Sequence, residues 1–94
     1  MIFWITFNYT QQSGVVDTLA AKIDGTHVER WWNKQKMPDV TLEHEYPYSY
    51  ISQLHPMDIQ QGVFMTAGMN AGNISGLRIT NEDLTLEEIF GGRK

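Results

Sequence analysis

Residues 2–9 alternate, with Phe3, Ile5, Phe7 and Tyr9 on one side and Ile2, Trp4, Thr6 and Asn8 on the other. Both sides begin apolar, which predicts a well-buried β-strand. The polar run Thr10-Gln11-Gln12-Ser13-Gly14 ends it. Beyond that run the period changes. Val16, Leu19, Ala20 and Ile23 fall at i, i+3, i+4 and i+7, the stripe of a helix. Ser13 is placed to cap that helix and Gly25 to end it.

The stretch GTHVERWWNKQKMP, residues 25–38, makes a poor strand on pattern alone. One face would carry Val28, Arg30, Trp32 and Lys34, the other His27, Glu29, Trp31 and Asn33, and neither would be apolar. A helix gathers Val28, Trp31, Trp32 and Gln35 within an arc of about 100° and sets Arg30 and Lys34 behind it. Thr26 and Glu29 match a capping box, and Pro38 supplies a stop. The pattern therefore predicts a helix here, with Trp32 packed on Val28 and Trp31 at a rim.

Residues 39–50 show the clearest period of two. Val40, Leu42, His44, Tyr46, Tyr48 and Tyr50 share one face; Asp39, Thr41, Glu43, Glu45, Pro47 and Ser49 share the other. This predicts one long amphipathic strand, or two short ones bent at Pro47. The proline places it at a sheet edge, where Glu43 and Glu45 discourage edge-to-edge pairing. A short helical turn after Pro56, a strand near residues 62–67, a loop holding Gly68, Gly72 and Gly76, and a strand near residues 77–80 follow. Thr85 and Glu88 form a second capping box, with Leu84 and Ile89 at hydrophobic-staple spacing. Leu86, Ile89 and Phe90 give that helix its buried face, and Gly91-Gly92 its end. The expected architecture is a single α+β domain over residues 1–94. It is a two-layer sandwich: one mostly antiparallel sheet of about four strands, with two to three short helices packed on it.

A chain of 94 residues, 41% hydrophobic and 19% charged, is long enough for one core. It has no cysteine, which excludes disulfides, thiolate metal sites and a cysteine nucleophile. The N-terminal segment lacks the basic region of a signal peptide, and no apolar run approaches the roughly 20 residues of a membrane span. A cytoplasmic protein without membrane contact is expected. The net charge of −4 disfavours nucleic acid, which needs a basic footprint.

Candidate chemistry is sparse. His27, His44 and His55 show neither H-x-x-x-H nor H-E-x-x-H spacing, so no metal is expected. There is no G-x-S-x-G, and the spaced glycines match no phosphate or dinucleotide loop, so no cofactor is expected either. Glu82, Asp83, Glu87 and Glu88 are accounted for by the start of a helix, where negative charge is favoured.

What remains is aromatic surface beyond the needs of a small core. Tryptophan and tyrosine are the residues that anchor protein interfaces. The leading expectation is a small non-catalytic protein-binding module, docking through Trp31, Tyr46, Tyr48 and Tyr50 with Glu43 and Glu45 at the rim, and able to form homo-oligomers through the same surface. A phage- or plasmid-encoded inhibitor of a host defence system, or an immunity protein, can have this make-up, by class analogy alone. Two alternatives stand beside it. One is a nucleic-acid-binding regulator using Arg30, Lys34 and Lys36; the other is a small enzyme with His44 as general base among tyrosines.

Overall fold

The alternation of residues 2–9 forms β1 (Ile2–Thr10) as expected. In the computed structural model, which describes residues 2–64 and 69–90, four further strands join it: β2 (Val16–Asp24), β3 (His27–Trp32), β4 (Gln35–Thr41) and β5 (Ile74–Thr80). They make one antiparallel five-stranded sheet in the order β4-β3-β2-β1-β5. The helical pieces are short: α1 (Tyr48–Ile51), α2 (Pro56–Asp58) running into a wider π-type segment at Ile59–Phe64, a 3-10 turn at Ala71–Asn73, and α3 (Leu86–Ile89). The α+β composition is as expected, with five strands in place of four.

Both helices expected between residues 13 and 38 are strands. In β2 the exposed Val16 would have headed the helical stripe, whereas Asp17, Leu19, Ala21 and Ile23 alternate inward and Ala20 is buried on the other face. Burial on both faces removes the polar–apolar alternation that marks a strand, and the residual pattern mimics a helix. Gly25 has φ +66, but it serves a two-residue hairpin turn between Asp24 and His27 instead of a helix end. Asn33, at φ 58, opens the matching turn between Trp32 and Gln35. Asparagine tolerates this left-handed conformation better than most residues. Thr26-x-x-Glu29 is a capping-box sequence with no helix behind it.

The long strand expected over 39–50 stops at Thr41, and Pro47 leads into α1. The helical turn after Pro56 is present, capped by His55, whose Nδ1 accepts from Met57 N at 3.3 Å. It continues as helix through Phe64, where the start of a strand was expected; residues 65–68, including Gly68, lie outside the described residues. The Thr85/Glu88 box forms reciprocally: Glu88 N donates to Thr85 Oγ1 at 3.2 Å and Thr85 N to Glu88 Oε1 at 2.8 Å. Residues 91–94 lie outside the described residues.

Apolar side chains pack on both faces of the sheet. On one, Phe3, Ile5, Phe7, Leu19, Ile23 and Val28 meet Ile51, Ile59, Val63 and Phe64 of the helical segments. On the other, Trp4, Ala20 and Trp31 meet Leu84, Ile89 and Phe90. The adjacent tryptophans of β3 point to opposite faces because both faces have something to pack against.

Arg30, only 6% exposed, is with Asp17 one of two buried charged side chains on the first face among the described residues. Its Nε and Nη2 donate to the Pro38 carbonyl at 2.9 and 2.6 Å, and Nη1 donates to the Phe64 carbonyl. The guanidinium thus ties β3 and β4 to Phe64 of the π-type segment. Burial pulls its pKa down, and the negative charge of Asp39 opposes that shift.

Candidate functional site

The tyrosine-bearing segment leaves the sheet at Leu42, whose N–H still donates to Thr26 O at 2.8 Å. From there the chain crosses Pro47 into α1, and helical spacing sorts the tyrosines. Tyr46 and Tyr50, four residues apart, fall on one side; Tyr48 turns to the other. Tyr48 stacks on Phe3 with centroids 5.4 Å apart and reaches the Ile79 carbonyl at 3.4 Å, so it is part of the packing. Tyr46 and Tyr50 stack on each other at 4.7 Å and 19° between planes, and His44 lies 4.2 Å from Tyr46. Tyr50 remains 51% exposed. Glu43 and Glu45 are exposed on the same segment.

Beside this aromatic row is a hollow of about 220 Å³. Ile23, Leu42, Ile51, Leu54 and Val63 give it apolar walls, and Asp58, Gln61 and Gly62 lie around it with the two tyrosines. Leu42 shares the period of two that singled out Tyr46. The contributions from residues 51–63 were missed, because they arrive through a helical segment whose direction no local pattern specifies.

Trp31 does not belong to this face. It is 7% exposed and packs among Trp4 and Ala20 on the other side of the sheet, a correction to its expected place at a rim. Trp32 is the half-buried one, in edge contact with Tyr9 at 5.8 Å. Its indole N–H donates to Asp17 Oδ2 at 2.9 Å, and Asn33 Nδ2 donates to Oδ1 at 3.0 Å. With a further donor in Gln11, these bonds, led by Asn33, hold the Asp17 carboxyl below the usual carboxylate range.

The three residues of the basic alternative are not gathered into one patch. Arg30 is committed to the interior. Lys36 projects on the Trp31 face, 5.7 Å from that ring, and pairs with Asp39. Lys34 is exposed at the hairpin turn. His44 contacts the Tyr46 ring and lies 3.3 Å from the Glu45 carbonyl. Among the described residues no group of three or more His, Asp or Glu side chains is placed to hold a metal ion, and no helix is long and apolar enough to cross a membrane. No family model, curated protein or solved structure matches the chain.

Proposed function

We propose that this chain is a non-catalytic protein-docking domain that engages its partner through His44, Tyr46 and Tyr50, with Glu43 and Glu45 at the rim. The observation that carries this reading is the stacked Tyr46–Tyr50 pair, with Tyr50 half in solvent, beside an apolar hollow. A tyrosine held by its neighbour has already lost much of its side-chain freedom, so less entropy is lost when a partner covers it. Tyrosine also offers a large apolar area with one polar tip, which suits a surface that is wet when free and dry when bound. The role needs only a surface that occupies another, as an inhibitor or immunity protein does, and the same face can seat a second copy of the chain.

The test replaces Tyr50 by alanine and compares the variant with the parent in two measurements. One is quantitative capture of partners from lysate of the source cells; the other is sedimentation equilibrium. Tyr50→Ala is expected to weaken the captured complex, or to dissociate a self-associated form, while leaving the thermal transition in place. Unchanged capture together with unchanged mass in solution refutes the reading.

A further inference from the structure

We infer that the partner of the tyrosine face is a cationic protein segment, one that seats a single apolar side chain in the hollow and sets lysine or arginine on either side of it. This rests on the docking reading above and adds to it the chemistry of what docks.

Gly62 is the first observation. It lies in the helical run that follows Pro56 and lines the hollow. Its φ is not in the left-handed region, so the backbone does not require glycine there. A Cβ built on it meets nothing within 4 Å, so packing does not require glycine either. Glycine nonetheless weakens a helical segment relative to alanine. A residue that costs stability and is demanded by neither backbone nor packing keeps the hollow open. That hollow, about 220 Å³, is smaller than the roughly 300–1,000 Å³ of sites for drug-sized ligands and suits one side chain of leucine or phenylalanine size.

Charge is the second observation. From Met37 to Leu77 the chain has no lysine or arginine, whereas Asp39, Glu43, Glu45 and Asp58 lie in that span. Glu43 and Glu45 flank the aromatic row, Asp58 lines the hollow, and all three are exposed. Among the described residues the lysines and arginines, Lys22, Arg30, Lys34, Lys36 and Arg78, belong to the strands and one hairpin turn. The layer that carries the site is therefore uniformly negative. Such a face draws a positive partner and repels an acidic one, which sets association rate and specificity.

The test is a titration of the ¹⁵N-labelled chain with three blocked pentapeptides, Arg-Arg-Leu-Arg-Arg, Gly-Gly-Leu-Gly-Gly and Glu-Glu-Leu-Glu-Glu, followed by amide chemical shifts. The arginine peptide is expected to shift Leu42, Ile51, Gly62 and Val63. It should bind about ten-fold or more tighter than the glutamate peptide, with the difference shrinking at about 0.5 M salt. In Gly62→Leu, which fills the hollow and should keep or raise Tm, those shifts should disappear. Equal binding of all three peptides overturns the cationic assignment and leaves the docking reading standing. Shifts that persist in Gly62→Leu, or no shifts with any peptide, overturn the anchor in the hollow. The docking reading then stands or falls separately on Tyr50→Ala.

Discussion

Trp31 stacks on Trp4 with ring centroids 5.5 Å apart and planes at 26°, on the sheet face turned away from Tyr46 and Tyr50. Each ring closes the other off from solvent, and Leu84, Ile89 and Phe90 cover the pair. Trp31 therefore acts on stability before it can act on binding. Trp31→Ala is expected to cost about 3–5 kcal/mol, as large-to-small changes at buried aromatics do, and Trp31→Phe distinctly less. Tyr50→Ala, at the surface, should stay within about 1 kcal/mol of the parent. Urea unfolding of the three variants checks the order. A Trp31→Ala variant as stable as the parent contradicts the burial of this ring.

Arg30 gives a second prediction. Its planar fork donates to carbonyls from two different elements, Pro38 of β4 and Phe64 at the end of the π-type segment. Lysine carries one compact ammonium and cannot reproduce the fork. Arg30→Lys and Arg30→Met are both expected to lose roughly 2–4 kcal/mol, because the bonds a charged, largely buried guanidinium makes to both elements are lost. Chemical denaturation measures the loss. Full retention in Arg30→Lys would show that charge alone, and not the fork, joins these elements.

The parts of the fold legible in the sequence are those specified by near neighbours. β1 alternates from Ile5 to Thr10, Pro56 starts a helical turn, and Thr85 and Glu88 cap α3 within four residues. The strands β2 and β3 were not legible, because their patterns answer to contacts far away in sequence. Ala20 and Ala21 face opposite sides and are both buried, which erases alternation. Arg30 looks like a solvent residue until Phe64, 34 positions on, supplies its acceptor. For the candidate site, residue type grouped Tyr46, Tyr48 and Tyr50 and could not single out Tyr48, which packs on Phe3. That separation follows from α1 starting where the period of two had suggested a strand.

Asp17 predicts an acid-sensitive stability. Hydrogen bonds from Asn33, Gln11 and Trp32 lower its pKa in the folded chain, so the unfolded chain binds the proton more readily. The contribution is complete above the unfolded value of about 3.9 and is lost as pH falls through the lower folded value. Asp17→Asn should destabilise the protein at pH 7 by about 1–3 kcal/mol and flatten the fall in stability below about pH 4. Urea midpoints across that range decide it. An unchanged slope in Asp17→Asn assigns the acid sensitivity to other carboxylates.

The cap of α3 yields a prediction about one face alone. A helix of four residues has no stability of its own, since nucleation is unfavourable; the reciprocal Thr85–Glu88 bonds and the contacts of Leu84, Ile89 and Phe90 hold it on the tryptophan pair. Thr85→Ala removes the acceptor for Glu88 N and should cost about 1 kcal/mol, whereas Thr85→Ser keeps it. Because the helix covers only the Trp4–Trp31 side, the loss should surface there first. Hydrogen exchange of the α3 amides should quicken and tryptophan emission shift to the red, with amides of α1 and the π-type segment unaffected. Thr85→Ser should behave as the parent in both measurements. Equal acceleration on both faces would mean that α3 opens only with the whole domain, and that its cap contributes to global instead of local stability.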